Sequence, residues 1–175
     1  MKPRHAIHGT TRAAIAVCAT LAALALGGCS GMSSVSSMFS SSPKPTVVNG
    51  SITASAQLNP SVTQRPSPLL VRVYELKSTN AFNAADFISL YQRDQTELGT
   101  ELVAREEMTL QPGESRRISK KTLSPDTRFI AVFGAYRDLE HARWRAVVPV
   151  QPGKQQDVVI TAGELAVSAA ATVKP

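Results

Sequence analysis

Residues 51–58 read Ser-Ile-Thr-Ala-Ser-Ala-Gln-Leu, and every second one is apolar. Ile52, Ala54, Ala56 and Leu58 fall on one side of an extended chain, and Ser51, Thr53, Ser55 and Gln57 on the other. This two-residue period marks a half-buried strand, because successive side chains leave a pleated strand in opposite directions. Outward from it the same signal recurs. Leu69–Leu76 presents Leu69, Val71 and Val73 together, and Leu102–Leu110 alternates through Leu102, Ala104, Met108 and Leu110, interrupted by Glu106. Arg128–Tyr136 is apolar nearly throughout, as a central strand covered on both faces requires. Arg143–Val150 puts Trp144, Ala146, Val148 and Val150 on one side. Gln156–Thr161 and Glu164–Ala170 make a closing pair around Ala162-Gly163, and a weaker strand near Ser115–Ser119 brings the expected number to eight.

The punctuation between strands agrees. Gln111-Pro112-Gly113-Glu114 and Gln151-Pro152-Gly153-Lys154 each place Pro before Gly, which suits a type II turn. Short strands at regular spacing, separated by Pro and Gly, predict an all-β fold, an eight-stranded antiparallel β-sandwich. One stretch departs from the pattern. Phe82-Asn83-Ala84-Ala85-Asp86-Phe87 reads as a helix start, with Asn83 as N-cap, Asp86 in the first turn, and Phe82 and Phe87 as a staple across the cap. Phe87, Leu90 and Tyr91 share a face and Gly99 can end the helix, so one helix of about fifteen residues is expected between strands 2 and 3.

Upstream of the strands the chain changes character. Lys2, Arg4 and Arg12 precede the apolar run Ala13–Leu26, which ends in Leu26-Gly27-Gly28-Cys29. A basic start, a short apolar run and small residues form a secretory signal, too short for a stop-transfer helix. Its ending resembles a bacterial lipoprotein signal, which implies cleavage before Cys29 and a covalent lipid on that residue. At roughly 0.8 kcal/mol per buried methylene, two or more acyl chains make a stable anchor. Ser30 rather than Asp follows Cys29, which by resemblance to enterobacterial sorting implies the outer membrane. Ser30–Pro45 is rich in Ser and reads as a flexible tether reaching about 20–25 Å. The expected organisation is therefore a signal at 1–28, a lipidated Cys and tether at 29–45, and one folded domain at 46–175.

Loss of residues 1–28 removes half of the +6 net charge, so the basic balance is not read as nucleic-acid binding. Cys18 leaves with the signal, so no disulfide within the domain is possible and the core must stand alone. His5 and His8 leave too. The one remaining histidine, His141, lies in the polar stretch Asp138–His141, with no G-x-S-x-G elbow, metal-ligand spacing or phosphate loop anywhere in the chain. Neither an enzyme nor a metal or cofactor protein is expected. Arg143 and Arg145 are expected as a solvated pair opposite a core Trp144. Arg116-Arg117 and Lys120-Lys121 read as an exposed face able to touch anionic lipid headgroups, at about 1 kcal/mol per basic residue.

Several strings taken in order resemble one family: the lipid signal and Ser-rich tether, N-P-S-V-T-Q-R-P-S-P-L-L-V-R-V-Y-E-L (Asn59–Leu76), F-N-A-A-D-F-I-S-L-Y (Phe82–Tyr91), and F-I-A-V-F-G-A-Y-R-D-L (Phe129–Leu139) with Trp144-Arg145. The chain resembles the type VI secretion outer-membrane lipoproteins of the TssJ family over nearly the whole folded domain. The resemblance implies a transthyretin-like sandwich with a helical insertion, facing the periplasm from a lipid anchor. Its implied partner is the periplasmic C-terminal domain of the inner-membrane protein TssM, in a complex with TssL. The implied contact is the loop between the first two strands: Asn59, Pro60, Ser61, Val62, Thr63, Gln64, Arg65, Pro66, Ser67 and Pro68. The residues support this independently, since three prolines limit the freedom lost on docking and Arg65 carries several donors. Read without the resemblance, the loop is also an ordinary connection between strands. The rival function is a small-ligand or glycan-binding lipoprotein, against which stands an aromatic content of 5%.

Overall fold

A computed structural model describes residues 43–175. The predicted signal, Cys29 and most of the tether lie outside these residues. Eight strands follow in order: β1 Val47–Ala54, β2 Leu69–Leu76, β3 Leu102–Leu110, β4 Ser115–Thr122, β5 Phe129–Gly134, β6 Arg145–Pro149, β7 Gln155–Ala162 and β8 Val167–Val173. They form two four-stranded sheets, ordered β4-β1-β7-β8 and β3-β2-β5-β6. The bounds of β2 and β3 coincide with those read from alternation. β1 lies four residues upstream of its predicted position because Gly50 is inside the strand rather than before it. A Cβ on Gly50 would lie 1.8 Å from the Val158 carbonyl oxygen, so only glycine lets β1 and β7 approach.

The pairing is not wholly antiparallel. β1 and β7 run parallel along their length, from Val47 opposite Gln155 to Ala54 opposite Ala162. The turn after β6 delivers the chain back beside the start of β1, where Val47 N–H donates to the Lys154 carbonyl at 3.0 Å. Alternation fixes which side a residue faces but carries no direction, so this pair was not legible in the sequence.

Apolar residues make two layers. Between the sheets pack Ile52, Leu69, Val71, Ile130, Val132 and Ile160; on the far side of the β2–β5 sheet, Tyr74, Leu76, Phe82, Leu90, Leu98 and Phe133 pack beneath a helical cover. Strand β5 therefore has no wet face, which explains its unbroken apolar run.

The cover is two helices rather than one: α1 Asn80–Ala84 and α2 Phe87–Leu98. Asp86 is the N-cap of α2, accepting from the Ser89 N–H at 2.8 Å, whereas Asn83 lies inside α1. Phe82 and Phe87 do not staple one another. Phe82 meets Tyr74 edge-on at 5.8 Å, while Phe87 packs on Phe133 and Trp144 at 5.1 and 5.5 Å. Gly99 ends α2 as expected.

A kink at Arg93 interrupts α2, and the Gln95 N–H turns to Asp94 Oδ1. Arg72 from β2 takes up the carbonyls of Leu90 and Tyr91 at 2.7 and 2.9 Å. The same guanidinium reaches Glu107 at 2.7 Å and Asp94 at 3.3 Å, and Tyr74 Oη and Arg105 also converge on Asp94. Burial opposes the Asp94 charge, but the hydrogen bonds from Arg105 and Tyr74 and the charges of Arg72 and Arg105 outweigh it. They hold that carboxyl below its usual range. Arg145 is likewise no solvated residue. The face of β6 it occupies is covered by α1, and its Nη1 donates to the carbonyls of Phe82, Asn83 and Ala85 at 2.9–3.1 Å, with the guanidinium 4.7 Å from the Trp144 ring.

Candidate functional site

Within the β1–β2 connection, which starts at Ser55, the segment Asn59–Pro68 is organised by its first residue. Asn59 sits at φ 46°, a left-handed conformation that Asn tolerates through its short polar side chain, and it is almost fully buried. Its backbone N–H donates to the Glu164 carbonyl at 3.0 Å, its Nδ2 to the Pro68 carbonyl at 2.9 Å, and its Oδ1 accepts the Arg137 N–H at 2.9 Å. Asn59 thereby joins the end of the loop at Pro68 to the β5–β6 connection through its side chain, and reaches the β7–β8 connection through its backbone. Just inside it, Ser67 N–H donates to the Leu58 carbonyl at 2.9 Å and closes the neck.

The tip is a second, smaller closure. Gln64, at φ 59°, donates its N–H to the Ser61 carbonyl at 2.8 Å, and Ser61 donates its own N–H to the Arg65 carbonyl at 2.9 Å. Ser61 Oγ accepts the N–H groups of Thr63 and Arg65 at 3.3 and 3.2 Å. These turns tie the tip to itself while most of its side chains face outward. Val62 is fully exposed at the tip; Thr63, Gln64, Arg65, Pro66 and Pro68 are exposed, Pro60 and Ser61 are half-buried, and Ser67 is buried. Val62 is thus held out to solvent at the summit of an ordered turn.

Beside the tip, Pro60, Val62 and Gln64 line a shallow cleft with Arg137, Asp138, Glu164 and Leu165. Leu139, on the same β5–β6 connection, is also exposed. The structure thus brings the predicted loop residues together and adds neighbours that the sequence did not announce. His141 lies in this connection too, pairing at 2.9 Å with Asp138, whose carboxyl it holds below the usual range. Among the described residues no group of three His, Cys, Asp or Glu side chains converges as a metal site would require. The described aromatic rings are spent on packing, and only Tyr91 is exposed.

Residues 46–165 match the family of type VI secretion lipoproteins that includes VasD, EvfM and TssJ. The chain belongs to this family. The type VI secretion lipoprotein TssJ1 from Pseudomonas aeruginosa is 40% identical, with a TM-score of 0.70 over 75% of this chain and 99% of that one. Serratia marcescens Lip, a membrane-bound component of the type VI secretion system, is 25% identical, with a TM-score of 0.65 over 72% of this chain and 98% of that one. A chain from a type VI membrane complex shares the fold at 24% identity, with a TM-score of 0.59 over 75% of this chain and all of that one. No curated protein matches. This type VI secretion lipoprotein therefore carries the two-sheet sandwich of TssJ1.

Proposed function

We propose that this lipoprotein is the outer-membrane peg of a type VI secretion membrane complex. In this reading residues 1–28 are removed, Cys29 bears the lipid, the domain faces the periplasm, and the loop Asn59–Pro68 holds the periplasmic C-terminal domain of a TssM-type inner-membrane protein, with TssL completing the complex. The observation that carries the reading is the loop itself. Its backbone is locked by Asn59 and Ser61 while Val62 stands bare, so docking buries apolar surface at little cost in lost freedom. Membership of the family supplies the kind of partner, and the lipid signal supplies the membrane.

The test has two arms in one strain. A tagged soluble domain, residues 45–175, is used as bait on detergent-solubilised source membranes, and the retained proteins are identified by mass spectrometry. Enrichment of a large inner-membrane protein with a periplasmic tail by the parent domain, and its absence with a folded variant lacking Asn59–Pro68, is the expected result. Equal capture by both removes the loop from the account. In the second arm Cys29→Ser is expected to leave the protein in the soluble periplasmic fraction and stop secretion; retained anchorage and secretion overturn the lipid reading.

A further inference from the structure

Strand β1 runs from Val47 to Ala54, about 25 Å at the usual strand rise, and separates two ends of the sandwich. Its far end feeds the docking loop. Its near end receives the N-terminal segment, and the surface around that entry is basic. Lys44 packs on the turn before β7, where a Cβ on Gly153 would lie 3.4 Å from the Lys44 carbonyl oxygen and the Gly153 N–H donates to Thr46 Oγ1 at 2.9 Å. Val47 N–H donates to the Lys154 carbonyl at 3.0 Å, and Lys174 N–H to the Gln155 carbonyl at 2.9 Å. Three lysines from distant parts of the domain are thus gathered around one entry point.

Strand β4 extends this surface. Arg116, Arg117, Lys120 and Lys121 read in the sequence as one exposed face, but the register divides them. Arg116 and Lys121 lie opposite Ile52 and Val48, the inward residues of β1, and are held by Glu114 and Glu75. Arg117 lies opposite Ser51 and turns outward, and Lys120 stands at the bulge beside Asn49. With Asn49 and Gln155 these two cations line a shallow depression that joins them to Lys154. Lys44, Arg117, Lys120, Lys154 and Lys174 are all exposed, and among the described residues none has an acidic partner. Asp157, which lies beside them, is taken by the Asn49 amide. Toward the other sheet Lys77 is held by Asp126 at 3.2 Å, and Arg128 by the carbonyls of Pro125 and Thr127. Residues 43–175 hold three more Lys and Arg than Asp and Glu, so these unpaired cations account for the whole positive excess of the domain.

We infer that this end of the domain is a membrane-contact surface, which rests on the headgroups of anionic lipids and turns the docking loop away from the bilayer. The charge is complementary, since each basic residue near an anionic surface strengthens binding about fivefold, the equivalent of about 1 kcal/mol. The position is complementary too. A tether reaching about 20–25 Å holds the entry of the chain nearer the lipid than any other part of the fold, and Lys44 belongs to that entry. Lysine suits such a contact, because a compact charge on a flexible stem meets mobile headgroups without needing a fixed geometry. The position rests on the proposed lipid at Cys29, and the orientation goes beyond it: a tether alone leaves the domain free to turn, whereas a basic end directs Asn59–Pro68 outward.

The described residues carry their own complete core, and the solved TssJ1 chain corresponds to about this portion of the sequence, so the domain at 43–175 can be tested alone. At low ionic strength it should cosediment with vesicles of equal parts phosphatidylglycerol and phosphatidylcholine, and not with vesicles of phosphatidylcholine alone. Lys154→Gln/Lys174→Gln should weaken that binding about 25-fold. Arg93→Gln/Arg143→Gln removes the same charge away from this end and should change binding less than about twofold. The domain has no cysteine, so a fluorophore can be placed at Gln151→Cys, on the entry end, or at Val62→Cys, on the loop. A nitroxide-headgroup lipid should quench the first and spare the second. Neither measurement involves Cys29 or the protein partner, so failure here leaves the docking function standing, and failed capture of the partner leaves the membrane contact standing. The inference is overturned by equal binding to both kinds of vesicle, by equal losses in the two double variants, by quenching at Val62→Cys as strong as at Gln151→Cys, or by binding to polyglutamate without binding to vesicles, which would assign the surface to an acidic protein.

Discussion

The helical cover and the β1–β2 loop both hang on one polar side chain from the sandwich, but they use opposite chemistry. Under the cover, Arg72 and Asp94 are buried ions, each meeting several partners, and little of them is presented to solvent. In the loop, a neutral Asn59 does the fastening and the outward residues are Val62 and its exposed neighbours. A buried ion pair fixes the position of α2 at the risk of a large penalty if one partner is lost. A neutral amide fixes a loop at less risk, which suits a segment whose side chains are needed outside.

The sharpest way to break this comparison is to remove one ion. Arg72→Ala leaves Asp94 to Arg105 and Tyr74 alone and leaves two carbonyls of the kinked helix unpaired, and should lower the unfolding free energy by about 3–5 kcal/mol in urea titrations, leaving the loop's partner affinity unchanged in the fraction that stays folded. Asn59→Ala removes one buried donor and one acceptor and should cost about 2–3 kcal/mol, with affinity and stability falling together. Val62→Ala tests the presented side alone. It should weaken partner binding about tenfold, the equivalent of about 1.5 kcal/mol of lost burial, with no change in the melting temperature.

Acid gives the finest distinction. Asp94 and Glu107 have folded pKa values below their ordinary ones; Arg72 is the first cause for Glu107, and for Asp94 the Arg105 and Tyr74 hydrogen bonds overcome burial. Their stabilisation is complete above the unfolded carboxyl values, about 3.9 and 4.3, and is lost as pH falls through the lower folded values. The melting temperature should therefore fall below about pH 4, and less steeply in Asp94→Asn than in the parent.

The same contrast explains what could be read from the sequence. Leu69–Leu76 and Leu102–Leu110 were legible to the residue because each carries the two-residue apolar period and stops where that period stops. Glu106, which interrupts the second of them, lies on the edge strand β3, where a charge discourages another strand from joining. The end of the loop was legible from Pro66 and Pro68, but its start, which lies at Ser55 rather than Asn59, and its fastening were not. Asn59 meets Arg137, a residue 78 positions away, and no local pattern announces such a bond. The helical cover was misread as one helix because Asn83 and Asp86 are both good N-caps, and packing of Phe82 on Tyr74 decides between them. Arg145 was misread because alternation cannot tell a solvated face from one covered by a helix.

Strand β1 joins two ends of the molecule with different duties. The N-terminal segment enters at Val47, and the loop begins soon after Ala54, so a pull between the two runs along the strand axis. β1 is held by eight residue pairs with β7 on one side and six with β4 on the other. Those bonds lie across the line of pull, and sliding the strand strains all of them together, whereas peeling would break them one at a time. The parallel β1–β7 pair thus makes β1 a shear joint, in which a pull between the two ends of the strand is borne by a whole ladder at once.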